Sequence, residues 1–148
     1  MGVKESKIEQ DIFLRAQKWH PVGLMFTTKA GGGRPNPRSP WIDFLPEGWS
    51  DRTFVIRGHM VGVEVKTKTG SPEKSQLIMA RKWALAGIPM IYPRSADEFE
   101  ELLHLVLPAH IVALPTDEEM ALFKEAHADK NPRPWLKKNK LGPYLGKK

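Results

Sequence analysis

Cysteine is absent from the 148 residues, which excludes disulfides and any cysteine-bound zinc site. Long apolar runs are absent too. No stretch approaches the roughly 20 residues of a membrane-spanning helix, so no membrane partner is expected. The opening Met-Gly-Val-Lys-Glu-Ser has no apolar core of a secretory signal, and an intracellular, cytoplasmic protein is expected. The histidines (His20, His59, His104, His110 and His127) show no ligand-like spacing. Acid is missing from one end: Asn131 to Lys148 holds six Lys or Arg and no Asp or Glu, equal to the whole net charge of +6. Such a surplus favours a polyanionic partner. Pro132, Pro134, Gly142, Pro143 and Gly146 argue against regular structure there. The segment reads as a solvated tail, or as a nucleic-acid arm with Lys137 and Lys138 for phosphates and Trp135 and Tyr144 for stacking.

What is present is organised around residues 60–87. Met60 to Lys66 alternates as a strand, with Val61, Val63 and Val65 on one face and Glu64 and Lys66 side by side on the other. A charged pair ending a β-branched run is costly to desolvate and calls for a partner, a metal or a task. Gly70-Ser71 turns the chain. Ser71 is the expected N-cap and Pro72 the first residue of a helix that Gly87 stops; Lys74 leaves this start without a capping box. Gln76 lies in the first turns, on the face of Ala80 and Trp83. A carboxylate, an ammonium and an amide are thereby brought towards one place.

Glu64-Val65-Lys66 at a strand end, a Gly-containing turn and a helix bearing Gln76 resemble the PD-(D/E)XK nuclease superfamily, and within it the VRR-NUC branch of small phage proteins and repair nucleases. A Gly-Ile-Pro-Met-Ile-Tyr strand beyond the helix adds to the likeness, which covers residues 5 to 105. The resemblance implies an α/β protein with a restriction-endonuclease-like αβββαβ core, a mixed central sheet flanked by helices. Residues 1–130 would form the nuclease domain and 131–148 the basic tail.

Around that core, Ser6 to about His20 reads as a helix, with Ile8, Ile12, Ala16 and Trp19 inward and Ser6-Lys7-Ile8-Glu9 as a capping box. Glu9 either caps this helix or takes the place of the family's first-helix Glu at the metal. Val22 to Thr28 is a first strand. Lys29 to Pro40, rich in Gly, Pro and positive charge, is a loop; it is a connector, or it contacts phosphates through Lys29, Arg34 and Arg38. Trp41 to Leu45 is a short strand carrying Asp43. Asp43 matches the family's Pro-Asp element by order; Asp51 is the rival, and a carboxylate fixed within a strand is the better preorganised of the two. Thr53 to Ile56 is an additional strand and Ile88 to Tyr92 a buried one. Ser95 opens a helix with Phe99, Leu102, Leu103 and Val106 inward. His110 to Leu114 is a last strand, and Thr116 caps a short final helix through Ala126.

The resemblance implies phosphodiester hydrolysis with Mg²⁺ or Mn²⁺. Asp43, Glu64 and the backbone carbonyl of Val65 are the expected ligands. Lys66 would orient the attacking water or stabilise developing charge, and Gln76 would hold Lys66 or the water. Lys68 is a further expected phosphate contact. The expected activity is that of a structure-specific endodeoxyribonuclease, working as a homodimer on branched DNA such as Holliday junctions, in a bacterium or phage-infected host. The alternative is a catalytically silent DNA-binding module on the same fold.

Overall fold

The computed structural model describes residues 2–28, 32–34, 36–40, 42–43 and 49–128, together with Asn131, Pro134, Leu136 and Lys138. The chain divides into two compact units, Met1–Leu114 and Pro115–Lys148.

In the first unit, α1 (Glu5–Ala16) and a 3₁₀ turn (Gln17–Trp19) precede β1 (Gly23–Thr27). A small antiparallel ribbon of β2 (Gly32–Gly33) and β3 (Ile42–Asp43) follows. Then come β4 (Arg52–Ile56), β5 (His59–Val63), α2 (Lys74–Leu85), β6 (Met90–Ile91) and α3 (Ala96–Val106). Among the described residues the main sheet has four strands in the order β1-β4-β5-β6. The first three are antiparallel and β6 runs parallel to β5. The protein is therefore of the mixed α/β class.

One face of this sheet carries the core. Met25, Phe54, Ile56, Val61, Val63 and Val65 pack against Ile8, Ile12, Ala16, Trp19, Phe99 and Leu103 of the overlying helices and turn. Full burial of each large aliphatic or aromatic side chain contributes about 1.5–3 kcal/mol. Trp19, Phe54 and Phe99 meet edge to face, with ring centroids 5.7 to 6.3 Å apart, the arrangement that ring quadrupoles favour. The indole N–H of Trp19 donates to the Val112 carbonyl at 2.8 Å. Outside the core, Arg15 reaches Asp97 at 2.9 Å and Glu100 at 3.0 Å, and Lys18 also reaches Glu100, tying α1 to α3.

The opposite face holds α2 close. Met79 and Trp83 are its buried residues, and a Cβ on Gly62 would come within 3.0 Å of Trp83, Met90 and Ser50. Beyond Val63 the ladder continues: the Glu64 N–H donates to Ile91 and the Lys66 N–H to Pro93. Glu64 and Lys66 are thus held in extended backbone, as the alternation implies.

Several expected elements differ. The final helix of this unit is capped by Ser95 Oγ, 3.0 Å from the Glu98 N–H, and buries Phe99 and Leu103, but Val106 is exposed. No strand forms at 110–114, which is a turn. Three of its carbonyls are taken by one side chain, since Arg57 donates to Ile111 at 2.7 Å, Ala113 at 2.6 Å and Leu114 at 3.2 Å. Arg57 itself sits in the left-handed region (φ 44°) beside Gly58 (φ 79°), forming the two-residue β4–β5 turn that suits strand twist. The segment expected to be all loop, 29–40, pairs Gly32 and Gly33 with β3; Pro37 and Pro40 fall between the paired residues, where no ladder N–H is needed. Helix α1 starts one residue before Ser6, with Lys4 at the N-cap, so Glu9 caps nothing. Helix α2 starts at Lys74 with Glu73 at the N-cap, not Ser71. The Gln76 side chain turns back to accept the Glu73 N–H at 2.9 Å, the reach of a capping-box residue.

In the second unit, α4 (Asp117–Ala128) is capped as expected: Thr116 and Glu119 exchange side-chain to backbone hydrogen bonds of 3.0 and 3.1 Å. Pro134, Leu136 and Lys138 are helical, against the expectation of no regular structure; proline is tolerated in a first helical turn. Among the described residues no helix is long and apolar enough to cross a membrane.

Candidate active site at the end of strand β5

Glu64 is only 4% exposed, and its carboxylate meets two hydrogen-bond donors and an ammonium. Oε2 accepts the backbone N–H of Asp51 at 2.9 Å. Oε1 accepts the amide of Gln76 at 2.8 Å and lies 3.8 Å from Lys66 Nζ. Burial pushes the Glu64 carboxyl above its ordinary range; the nearby Asp51 charge adds to this, while the Asp51 N–H, Lys66 and Gln76 oppose it. Lone pairs remain on both oxygens.

The orientation of Gln76 follows from its two partners, nitrogen toward the carboxylate and oxygen toward the Glu73 N–H. Its own carbonyl accepts from the Tyr92 hydroxyl at 3.3 Å. Burial first, and the charge of Glu64 second, raise the Tyr92 phenol above its ordinary value.

Asp51 reaches this place because β4 and β5 are antiparallel about the Arg57-Gly58 turn, which pairs Arg52 with Val63. Counting back one more pair sets Asp51 against Glu64. Its backbone is fixed on both sides. The Thr28 N–H donates to the Asp51 carbonyl at 2.8 Å, Thr28 Oγ1 to the Ser50 carbonyl at 2.8 Å, and Ser50 Oγ to the Arg52 carbonyl at 2.8 Å. The Trp49 ring lies against Trp83. Ser50 and Asp51 are therefore held by hydrogen bonds to Thr28 and Arg52, and Trp49 by Trp83, so Asp51 stands as a candidate ligand beside Asp43.

A second carboxylate group adjoins. Oxygens of Glu5, Glu9 and Asp51 lie within 4.8 Å of one another. Glu5 and Glu9 stand one turn apart on α1. Arg52 Nη2 is 3.4 Å from Glu9, and Arg52 Nη1 donates to Thr27 Oγ1 at 2.6 Å; Arg52 Nε is buried without a hydrogen-bond partner. These are hard oxygen donors with no sulfur or imidazole, a set suited to Mg²⁺ or Mn²⁺ rather than to zinc or copper.

Glu64, Lys66 and Gln76 are thus gathered at one point, and Glu9 joins them through Asp51. Asp43 lies on the β2–β3 ribbon opposite Gly32, and its side chain is outside the described residues. Val65 is buried two residues beyond the end of β5. Lys68 is exposed in the turn after Lys66 and lines a cleft of about 750 Å³ with Thr67, Thr69, Arg94 and Ser95. Arg34 and Arg38 are exposed. Lys138 lies 3.4 Å from Glu125 within the second unit. Lys29, Lys137, Trp135 and Tyr144 lie outside the described residues. The sequence reading passed over Glu5, Arg52, Tyr92 and Arg94. Arg94 donates to the carbonyls of Thr67 and Gly70, bracing the turn beyond Lys66.

Comparison of the chain with protein-family models, curated proteins and solved structures finds no match.

Proposed function

We propose that this chain is a divalent-metal-dependent endodeoxyribonuclease of the PD-(D/E)XK kind. The observation that carries the reading is the convergence on Glu64: Lys66 at 3.8 Å, the Gln76 amide at 2.8 Å and the Asp51 N–H at 2.9 Å. A merely structural ion pair at a strand end has no need of a second acidic group beside it, and here Glu5, Glu9 and Asp51 stand together. The order helix, antiparallel strands, helix, parallel strand agrees with the core that the resemblance implies. The net charge of +6 favours a polyanionic substrate.

Asp51 and Glu64, with Glu9 beside them, would hold Mg²⁺ or Mn²⁺, which supplies Lewis acidity at a phosphate oxygen. Lys66, fixed beside Glu64 and 11% exposed, directs its ammonium at the attacking water or at charge building on phosphorus. The water oxygen bonds to phosphorus, the bond to the leaving oxygen breaks, and one proton passes from water towards that oxygen. Gln76 and the Asp51 N–H keep the Glu64 oxygens in place while this happens. A homodimer acting on branched DNA belongs to the same reading. Two copies in twofold relation supply the paired cuts that a junction needs, and Leu105 and Val106 offer exposed apolar contacts on α3.

The test is cleavage of linear duplex, single strand, flap and four-way junction with Mg²⁺ or Mn²⁺. Metal-dependent cutting by the wild-type chain and none by Glu64→Ala is the expected result. Undiminished cutting by Glu64→Ala removes the site, and binding without cutting by the wild type leaves a DNA-binding module.

A further inference from the structure

We propose that Arg52 is a fixed cation of the metal site, pairing with Glu9 so that the acidic group takes one divalent ion per chain rather than two. The inference rests on the nuclease reading and deepens it.

The charges near the site make the case. On one side stand the carboxylates of Glu5, Glu9 and Asp51, with oxygens within 4.8 Å of one another. Glu64 adjoins them, its Oε2 accepting the Asp51 N–H at 2.9 Å. Against them the protein sets two cations, Arg52 at 3.4 Å from Glu9 and Lys66 at 3.8 Å from Glu64. The unbalanced charge is that of one divalent ion. A second ion would have to sit among the same oxygens against the Arg52 guanidinium, 3.4 Å from Glu9.

Arg52 is built in rather than draped over the surface. It follows Asp51 directly and lies on β4, hydrogen-bonded through Nη1 to Thr27 Oγ1 at 2.6 Å. Its side chain is 23% exposed and that of Glu9 13%. At such burial an unpaired carboxylate is costly, so Glu9 either keeps Arg52 or takes a cation in its place. A cleft of about 270 Å³ lined by Ser6, Glu9, Gln10, Phe13 and Arg52 leaves the pair reachable from one side. Arg52 acts here as a positioning residue. It fixes one oxygen of Glu9 and sets how many ions the group accepts.

The experiment is titration of Mn²⁺ alone into the full chain, with calorimetry and electron paramagnetic resonance counting bound ions and no DNA present. The wild type is expected to bind one Mn²⁺ per chain in this site. Arg52→Gln is expected to bind a second ion, or the first tighter by on the order of ten-fold or more, since a unit charge is removed a few ångströms away. Arg52→Lys, which keeps the charge, should behave as wild type; Arg52→Met, which keeps the aliphatic stem, serves if the Gln variant does not fold. Equal stoichiometry and affinity in wild type and the neutral variants, or two ions in the wild type, overturns the inference and leaves the nuclease reading standing. A wild type that binds no Mn²⁺ removes the metal-dependent reading and the inference with it.

Discussion

Gln76 serves Glu64 and its own helix with one amide: Nε2 donates to Glu64 Oε1 at 2.8 Å, and Oε1 accepts the Glu73 N–H at 2.9 Å. The start of α2 and the site carboxylate are therefore set by the same side chain. Gln76→Ala should lose a cap of about 1 kcal/mol and a hydrogen bond to a charged group of about 1.5–3 kcal/mol, together with cleavage rate. Gln76→Glu keeps a capping oxygen but sets like charge against Glu64. Its loss should fall on cleavage, with helix content by circular dichroism retained. Wild-type rates from both variants would take Gln76 out of the site.

Asp51 and Asp43 are separated by a direct comparison. Asp51 shares the site through its backbone with Glu64 and through its carboxylate with Glu9, whereas Asp43 is paired into the β2–β3 ribbon. Asp51→Asn should lower cleavage on the order of 10²-fold or more, as Glu64→Ala and Lys66→Ala should, and weaken Mn²⁺ binding. Asp43→Asn should do neither. Loss in Asp43→Asn with full activity in Asp51→Asn would reverse the assignment.

Much of this site is legible in the sequence, and the part that is not has a specific cause. The alternation of Val61, Val63 and Val65 gives the face on which Glu64 and Lys66 stand, because a period of two permits no other arrangement. The Arg57-Gly58 turn, which the sequence reading does not single out, sets the antiparallel register that puts Asp51 beside Glu64. Asp43 ranks first in the sequence by its place in the element order and within a strand, with Asp51 in a Gly-Trp-Ser turn as the rival. What holds Trp49, Ser50 and Asp51 is Thr28, Arg52 and Trp83, contacts that no local pattern records. The turn at 110–114 is hidden for the same reason, since Arg57 takes three of its carbonyls from more than fifty residues away. The start of α2 was displaced because Ser71-Pro72 is a good local start, but the Glu73–Gln76 pair is tied to Glu64 and outweighs it.

Two carboxylates should respond to pH with opposite signs. Lys18 first, and Arg15 with it, hold the Glu100 carboxyl below its ordinary range. The folded state thus binds this proton less readily than the unfolded chain. The resulting stability is complete above the unfolded pKa and is lost as pH falls through the folded one. Glu100→Gln should be destabilised at neutral pH by on the order of 1 kcal/mol, the partners being partly exposed, with the deficit closing in acid. Glu64 is raised, by burial first. Its contribution is complete below the unfolded pKa and is lost as pH rises through the folded one, a slope that Glu64→Ala should lack. Denaturant midpoints measured against pH decide both; a Glu100→Gln deficit that does not change with pH would rule out the ion pairs as its source.

Gly62 tests whether the site depends on how closely α2 sits on the sheet. A methyl group there meets Met90 Cγ, Ser50 Oγ and Trp83 Cζ3, each at 3.0 Å, so some neighbour must give way. Met90 is a flexible side chain and can yield. Trp83 is a buried ring on α2, in contact with Trp49, and Ser50 Oγ is bonded to the Arg52 carbonyl. Movement of either is transmitted to the site, to Gln76 through α2 or to Asp51 through the start of β4. Gly62→Ala should therefore cost about 1–3 kcal/mol of stability, as overpacking generally does, and lower cleavage with the fold intact. Gly62→Ala combined with Met90→Ala removes one of the three contacts and should restore part of both. If stability falls while cleavage and Mn²⁺ affinity stay at wild-type values, the geometry at Glu64 does not depend on the seating of α2, and Gln76 holds its carboxylate without help from the packing behind it.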